Sequence, residues 1–154
     1  MDAIFITGTA GSGKSALTSR LIQWYKDNDA FPVSLNLDPG SYRLPYEPDV
    51  DVRDRVDLDT LMEKYDLGPN GSLVMASDLI ATRLDEIQTE VNELNPDCVI
   101  IDTPGQIEIF TWSASGSIIT ESLAALCATD RSLSDESCSS PLSIQSRCID
   151  CHPC

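Results

Sequence analysis

The residues with the most evident chemistry lie near the amino terminus, in Gly8-Thr9-Ala10-Gly11-Ser12-Gly13-Lys14-Ser15. This segment, called the phosphate loop below, fits the pattern G-x-x-x-x-G-K-[ST] at every fixed position. Backbone N–H groups of such a loop surround a polyphosphate, Lys14 reaches the β- and γ-phosphates, and the Ser15 hydroxyl ligates Mg²⁺. The predicted phosphate-binding residues are Gly8, Gly11, Ser12, Gly13, Lys14 and Ser15. The loop therefore predicts a nucleoside triphosphate site.

The sequence around the phosphate loop supports this interpretation. An apolar, β-favouring run occupies residues 3–7 before it, and a helical pattern covers residues 16–25 after it. Strand, loop and helix in this order place a helix N-terminus against the phosphates. A glycine-rich turn that carries a lysine by chance is the alternative, and the flanking elements disfavour it.

Further runs indicate the elements that must position this site. Residues 32–37 and 97–102 are nearly continuously apolar, as parallel strands covered on both faces are. Apolar residues recur at helical spacing from Leu73 to Leu94, with Pro96 after them, and Asp57 is a plausible N-cap for a shorter helix to Tyr65. The sequence predicts an α/β P-loop fold, a parallel sheet between helices, that is truncated after the third strand and its switch region.

A second chemical group follows the third predicted strand, in Asp102-Thr103-Pro104-Gly105-Gln106. Open parallel sheets bind ligands at the carboxyl ends of their strands. There Asp102 is expected to hold Mg²⁺ through water, Gly105 to donate its N–H to the γ-phosphate, and Gln106 to orient the attacking water. A strand that simply ends in a turn is the alternative.

The end of the second predicted strand adds another carboxylate. Asp38 is expected at the same edge of the sheet, where it can accept a proton or a hydrogen bond from water. The segment 50–54 lies where a switch loop would respond to Mg²⁺ and the γ-phosphate. An ordinary solvated loop is an equally good interpretation of that segment.

Four motifs in order resemble the GPN-loop GTPases. They are Leu37-Asp38-Pro39, Gly68-Pro69-Asn70, the run from Asp102 to Glu108, and the run from Phe110 to Gly116. The resemblance covers residues 1 to about 125, and the C-terminal part of the family domain is missing from the sequence. It implies a homodimeric, dimer-activated GTPase that binds GTP or GDP with Mg²⁺.

The resemblance also implies catalytic roles. In that family the Gly-Pro-Asn loop enters the partner's active site, so Asn70 would act near the γ-phosphate of the other subunit. Asp38, Gln106 and Glu108 would surround the catalytic water. Physically, an asparagine amide offers two N–H donors to developing negative charge. Without the family, Gly-Pro-Asn-Gly is only a turn before a helix.

Charge and hydropathy restrict the partners. The formal net charge of −15 disfavours nucleic acid and anionic membranes as direct partners. No run of 18 apolar residues and no basic signal segment occurs, so a cytoplasmic protein without membrane spans is expected.

The composition changes near residue 126, which predicts a division into a GTPase part, 1–126, and a tail, 127–154. The tail holds five of the six cysteines and seven serines without strand or helix periodicity. It is expected to be irregular, and a frame-shifted or mis-joined end is the favoured interpretation. The tail also contains Cys148-x-x-Cys151-His152 and Cys154, which suggest half a zinc site or a haem-attachment pattern, both disfavoured. Cys98 is expected to be a small core residue.

One family motif is absent from the sequence. No Asn-Lys-x-Asp, which selects guanine in this family, occurs in these residues. The sequence therefore predicts the phosphate-binding half of a GTPase without its base-binding half, and weak binding with no strong guanine preference. Two other functions stay open: a P-loop ATPase or nucleotide kinase, and a non-enzymatic fragment that only dimerises with an intact homologue.

Overall fold

The computed structural model describes residues 2–106 and 113–125, together with the backbone of residues 147–151. In chain order its elements are β1 (Asp2–Gly8), α1 (Lys14–Asp27), β2 (Pro32–Asn36), β3 (Val50–Asp51), a 3-10 turn (Val52–Asp54), α2 (Leu58–Tyr65), α3 (Pro69–Ala81), α4 (Leu84–Leu94), β4 (Cys98–Asp102), α5 (Ala114–Ala125) and β5 (Arg147–Cys151). The predicted strands at 3–7, 32–37 and 97–102 correspond to β1, β2 and β4.

The five strands form one sheet in the order β3-β2-β4-β1-β5, and every neighbouring pair is parallel. Asp102, at the end of β4, lies between Ile6 of β1 and Asn36 of β2 in the register. The carboxyl ends of the three predicted strands therefore meet at one edge, directly beside the phosphate loop. The predicted α/β fold with a parallel sheet is confirmed.

Helices cover both faces of the sheet, because successive side chains of a strand point to opposite sides. In β1, Ala3 and Phe5 pack into the larger core with α2, α3, α4 and α5, whereas Ile4 and Ile6 pack into the smaller core with α1. The strands are buried on both faces, which explains their nearly continuous apolar sequence.

Two of the helices follow the sequence pattern closely. Asp57 caps α2, and its side chain accepts a hydrogen bond from the N–H of Asp59 at 3.1 Å. This confirms the predicted N-cap. Helix α1 begins at Lys14, directly after Gly13, so the end of the phosphate loop is itself the start of the helix.

The single helix predicted from Leu73 to Leu94 is wrong, since α3 ends at Ala81 and α4 begins at Leu84. At the break, Arg83 has φ −115° and ψ 15°, and the Thr82 hydroxyl donates to the Leu79 carbonyl at 2.7 Å. The break lets each helix direct its own apolar stripe into the larger core. Periodicity alone could not locate it, because neither glycine nor proline marks the position.

Residues 147–151 differ from the expectation of an irregular tail. They form β5, which pairs with β1 on the side away from β4, so β1 does not carry an uncovered edge there. The unpaired N–H and C=O groups of an edge strand favour such an addition. The other residues of the predicted tail, 127–146 and 152–154, lie outside the described part of the chain. No helix in the described part is long and apolar enough to cross a membrane.

Candidate functional site

The backbone of the phosphate loop depends on two glycines in the left-handed region. Gly11 has φ 76° and Gly13 has φ 90°, which side chains other than glycine rarely adopt. Gly13 is the N-cap of α1 and supplies no side-chain cap, so N–H groups of the first turn stay available for an anion. The buried Lys14 donates its Nζ to the Thr9 carbonyl at 3.0 Å, which holds the ammonium inside the loop.

A cleft of about 490 Å³ opens above the phosphate loop. Its walls bring together the loop, the end of β2 and the turn after β4. The lining residues from outside the loop include Asp38, Gly40, Pro45, Leu73, Pro104, Gly105 and Gln106. Three sequence-predicted elements therefore surround one space, which is called the cleft.

Asp102 is a buried carboxylate beside the cleft with one unsatisfied oxygen. Its Oδ2 accepts a hydrogen bond from the Tyr46 hydroxyl at 3.0 Å, while its buried Oδ1 has no hydrogen-bond partner among the described residues. Burial raises the pKa of this carboxyl, and the Ser15 and Tyr46 hydroxyls and the Lys14 charge partly offset the rise. An orphaned carboxylate oxygen near a serine hydroxyl fits the oxygen ligands that Mg²⁺ requires.

Asp38 is held at the cleft by its own turn. The Gly40 N–H donates to Asp38 Oδ1 at 2.9 Å, and the Asp38 N–H donates to Oδ1 of Asn36 at 3.1 Å. Burial raises the pKa of Asp38, and the N–H groups of Gly40 and Gly105 and the charge of Lys14 act against that rise. The carboxylate is thus fixed in place at the cleft, where it can accept a hydrogen bond or a proton from a water molecule.

Gly105 lies so close to the phosphate loop that it cannot carry a side chain. A Cβ built at this position would stand 2.9 Å from Ala10 Cα and 3.1 Å from both Ala10 Cβ and Ala10 N. These neighbours are mainly backbone atoms, which cannot move aside cheaply. The turn after β4 is therefore packed directly against the loop that is expected to hold the phosphates.

Gln106 contacts Asn70 of the same chain. Its Nε2 donates to Asn70 Oδ1 at 3.3 Å, and its Oε1 is buried without a hydrogen-bond partner among the described residues. Gly68 is the N-cap of α3, Pro69 occupies the first turn and Asn70 follows it. The Gly-Pro-Asn motif is thus the start of a helix that points at the cleft, rather than a separate turn before it.

The structure brings together most of the residues predicted for the site. Gly11, Gly13, Lys14 and Ser15 of the phosphate loop line the cleft with Asp38, Gly105 and Gln106, whereas Gly8 and Ser12 do not. Asp102 lies beside the cleft, and Asn70 contacts its Gln106 wall. Glu108 and residues Phe110 to Trp112 of the last motif lie outside the described residues.

The segment 50–54 is neither the switch loop nor the solvated loop that the sequence suggested. It consists of β3 and the 3-10 turn, with Val50 and Val52 buried. Its charges are paired with each other, since Arg53 Nε donates to Asp51 Oδ2 at 2.9 Å, and the Arg53 guanidinium also reaches the Ser41 carbonyl at 2.7 Å. The segment is an edge of the sheet that carries an internal ion pair, so its arginine is not free for a phosphate.

Two residues of the site were missed from the sequence. Asn36 is fully buried and bonds Asp51 Oδ1 at 3.0 Å as well as the Asp38 backbone, and Tyr46 reaches Asp102. A polar residue within an apolar strand, two positions before Asp38, was a detectable signal for Asn36. Tyr46 stands between Pro45 and Glu47 without any motif, and only the tertiary fold reveals its contact.

The possible metal ligands of the tail lie outside the part of the chain whose side chains the structure describes. Among the described residues, no group of three or more histidine, cysteine, aspartate or glutamate side chains could hold a metal ion. The side chains of Cys148 and Cys151 are not described, and His152 and Cys154 lie outside the described residues. The buried thiol of Cys98 packs in the smaller core, as expected, and burial raises its pKa to about 11.

Fold and site together define the class of this protein: a P-loop nucleotide-binding protein whose phosphate loop faces two carboxylates and a glutamine. A family model described as "Conserved hypothetical ATP binding protein" matches residues 6–140. The chain belongs to this family, and the relatives found for it carry the name GPN-loop GTPase, which confirms the resemblance seen in the motifs.

Three comparisons give the extent of the similarity. The chain is 44% identical over 124 residues to GPN-loop GTPase 1 of Dictyostelium discoideum, covering 79% of this chain and 31% of the relative. It is 43% identical over 126 residues to GPN-loop GTPase QQT2 of Arabidopsis thaliana, covering 80% and 33%. The crystal structure of an apo-form GTPase from Pyrococcus abyssi superposes with a TM-score of 0.71 at 36% identity, covering 79% of this chain and 49% of that one. The chain thus spans about a third of the length of these curated relatives.

Proposed function

We propose that this chain binds GTP with Mg²⁺ and contributes the phosphate-binding half of a GPN-type GTPase, which hydrolyses GTP to GDP and phosphate. The single observation that carries the proposal is the convergence of the phosphate loop, Asp38, Gly105 and Gln106 on one cleft, with Asp102 beside it. The names of the relatives support guanine as the base.

The proposed roles follow from position. The phosphate loop and Lys14 bind the phosphates, and the N–H of Gly105, which lies against Ala10 of the loop, donates to the γ-phosphate. Gln106 orients the attacking water and Asp38 accepts its hydrogen bond or proton. Ser15 and the unsatisfied Oδ1 of Asp102 would hold Mg²⁺. That ion would supply neutralisation of charge on the β- and γ-phosphate oxygens.

We further propose that the active form is a homodimer in which Asn70 serves the cleft of the partner. The supporting observations are the position of Asn70 at the exposed start of α3 and the exposed apolar residues Val74, Leu79 and Ile118 on α3 and α5. The same-chain contact between Asn70 and Gln106 offers a competing arrangement, in which the asparagine works within its own subunit.

Base preference is the sharpest test of the proposed activity. A fluorescent GDP analogue is bound to the chain and displaced with unlabelled GTP, GDP or ATP, each with and without Mg²⁺. Displacement by GTP or GDP at lower concentration than ATP supports a guanine-binding protein. Equal displacement by all three contradicts guanine selection by these residues and favours a general P-loop nucleotide binder, in agreement with the absent Asn-Lys-x-Asp motif.

A further inference from the structure

Within the segment between Asp38 and β3, the phenol of Tyr46 reaches the carboxylate of Asp102. Its hydroxyl donates to Asp102 Oδ2 at 3.0 Å, which leaves Oδ1 as the unsatisfied oxygen of that carboxylate. Asp102 is almost completely buried. A buried carboxylate with one oxygen bonded has little freedom to rotate, so the tyrosine determines which oxygen is available.

The aromatic ring of Tyr46 is itself anchored. It packs against the smaller core, which contains Ile6 and Ile100 of the sheet and against which Leu17 and Leu21 of α1 also pack. The preceding residue, Pro45, accepts a hydrogen bond through its carbonyl from Ser19 of α1 at 3.4 Å. The hydroxyl is therefore presented to Asp102 by a ring held between a strand and the helix that follows the phosphate loop.

We propose that Tyr46 is a positioning residue for the divalent cation: it holds Asp102 so that Oδ1 is the ligand-side oxygen, and it thereby couples the segment 39–49 to occupancy of the Ser15–Asp102 site. The proposal rests on the proposed Mg²⁺-nucleotide function. Tyr46 is not among the residues that line the cleft, so its loss weakens the contribution of the metal rather than that of the phosphate loop.

The test measures binding of a fluorescent GDP analogue to the whole chain as Mg²⁺ is titrated. Tyr46→Phe keeps the packed ring and removes only the hydroxyl. We expect affinity without Mg²⁺ to stay within about twofold of the unmodified chain, while the Mg²⁺ concentration for half-maximal enhancement rises about tenfold, the change that corresponds to one lost hydrogen bond to a charged group.

The chain offers a matched control. The hydroxyl of Tyr42 also donates to a carboxylate, Asp59 Oδ1 at 3.2 Å, but this tyrosine is 79% exposed and does not line the cleft. Tyr42→Phe should leave both affinities and the Mg²⁺ midpoint unchanged. A Tyr46→Phe chain with the Mg²⁺ midpoint of the unmodified chain overturns the proposal and leaves the proposed function intact. If Mg²⁺ does not strengthen nucleotide binding by the unmodified chain, both fail.

A second measurement does not depend on folding of the variant. In the unmodified chain, Mg²⁺ added to the GDP complex should slow amide hydrogen exchange in residues 43–49, because Asp102 then holds Tyr46 more firmly. The Tyr42 side of the same segment should respond less. Exchange in residues 43–49 that is identical with and without Mg²⁺, while Mg²⁺ still strengthens GDP binding, contradicts the coupling.

Discussion

Gly105 packs the turn after β4 directly against the phosphate loop. The backbone of Ala10 occupies the space that a Cβ at position 105 would need, at 2.9 Å from Ala10 Cα. Because the two backbones are packed this closely, a movement of the turn after β4 must displace the phosphate loop, and the reverse. The glycine therefore allows the turn after β4 and the phosphate loop to respond as one unit to a molecule bound in the cleft.

Gly105→Ala should accordingly weaken nucleotide binding. Overpacking costs about 1–3 kcal/mol, which corresponds to roughly 5- to 150-fold in affinity if the displaced loop carries the strain. Titration with the fluorescent GDP analogue measures the loss. Gly71→Ala is the matched control, because that glycine lies inside α3 and a Cβ there meets only Leu67 at 3.4 Å or more. Gly71→Ala should keep nucleotide affinity. Unchanged affinity in Gly105→Ala would show that the phosphate loop adapts to the added methyl group without cost.

Gln106 is the residue proposed to orient the attacking water. Its Nε2 donates to Asn70, whereas its buried Oε1 has no hydrogen-bond partner among the described residues. The side chain is therefore held in place and keeps an acceptor available for water. We expect Gln106→Ala, in a form of the protein that turns over GTP, to bind a non-hydrolysable analogue within a few-fold. Turnover should fall by about 100-fold or more, since an interaction made in the transition state lowers kcat rather than affinity. Single-turnover hydrolysis with equal rates in both proteins would remove Gln106 from the mechanism.

At the scale of elements, β3 and the 3-10 turn form an internally paired edge of the sheet. Burial alone would raise the pKa of Asp51, but hydrogen bonds from Arg53 and Asn36 outweigh it and lower the pKa below the ordinary value of 3.8. Since the folded-state pKa is depressed, the pair stabilises the fold above the unfolded-state pKa. This stabilisation disappears as the pH falls through the folded-state value.

The acid part of the stability curve tests this pair. Urea unfolding measured from neutral to acidic pH should show that Asp51→Asn reduces the loss of stability on acidification relative to the unmodified chain. Arg53→Met should reduce it similarly, and the double variant should add little, because both changes remove one interaction. Parallel curves for all four proteins would mean that other carboxylates account for the acid sensitivity.

The elements show what a sequence can and cannot reveal here. Apolar runs located β1, β2 and β4 because strands buried on both faces have an unmistakable composition, and the Asp57 cap located α2. The break at Thr82 was missed because tertiary packing, rather than a helix breaker, ends α3. Strand β5 was missed because its pairing with β1, and not its own residues, makes it a strand.

In the site, too, some residues could be predicted from the sequence and others depend on tertiary contacts. Motif residues could be assigned because phosphate chemistry demands fixed types at fixed spacings, as in the phosphate loop and around Asp102. Tyr46 and Asn36 could not be assigned in this way, since they act through contacts 56 and 15 positions away in the chain. Supporting residues of this kind are determined by the fold that surrounds them, and any polar side chain of suitable reach could fill such a place.

At the scale of the whole molecule, the proposed homodimer and the same-chain contact assign Asn70 to different clefts. In the single chain it bonds its own Gln106 at 3.3 Å, and it also stands at the exposed start of α3 beside an apolar surface. The two arrangements make different demands on a pair of defective chains. If the asparagine acts across the dimer, a chain with an intact phosphate loop can be served by a partner whose loop is broken.

Mixing Asn70→Ala with Lys14→Ala in a turnover-competent form of the protein should therefore restore activity. With random exchange of equal amounts, half of the dimers are mixed and one of their two clefts receives both an intact loop and an intact asparagine. About a quarter of the activity of the unmodified protein is expected, well above the sum of the residual activities of the two variants measured separately. Asn70→Ala mixed with the double variant Asn70→Ala/Lys14→Ala is the control, because no cleft in that mixture receives an asparagine. If the first mixture gains nothing although native mass spectrometry detects mixed dimers, Asn70 serves its own Gln106, and the same-chain contact is the functional one.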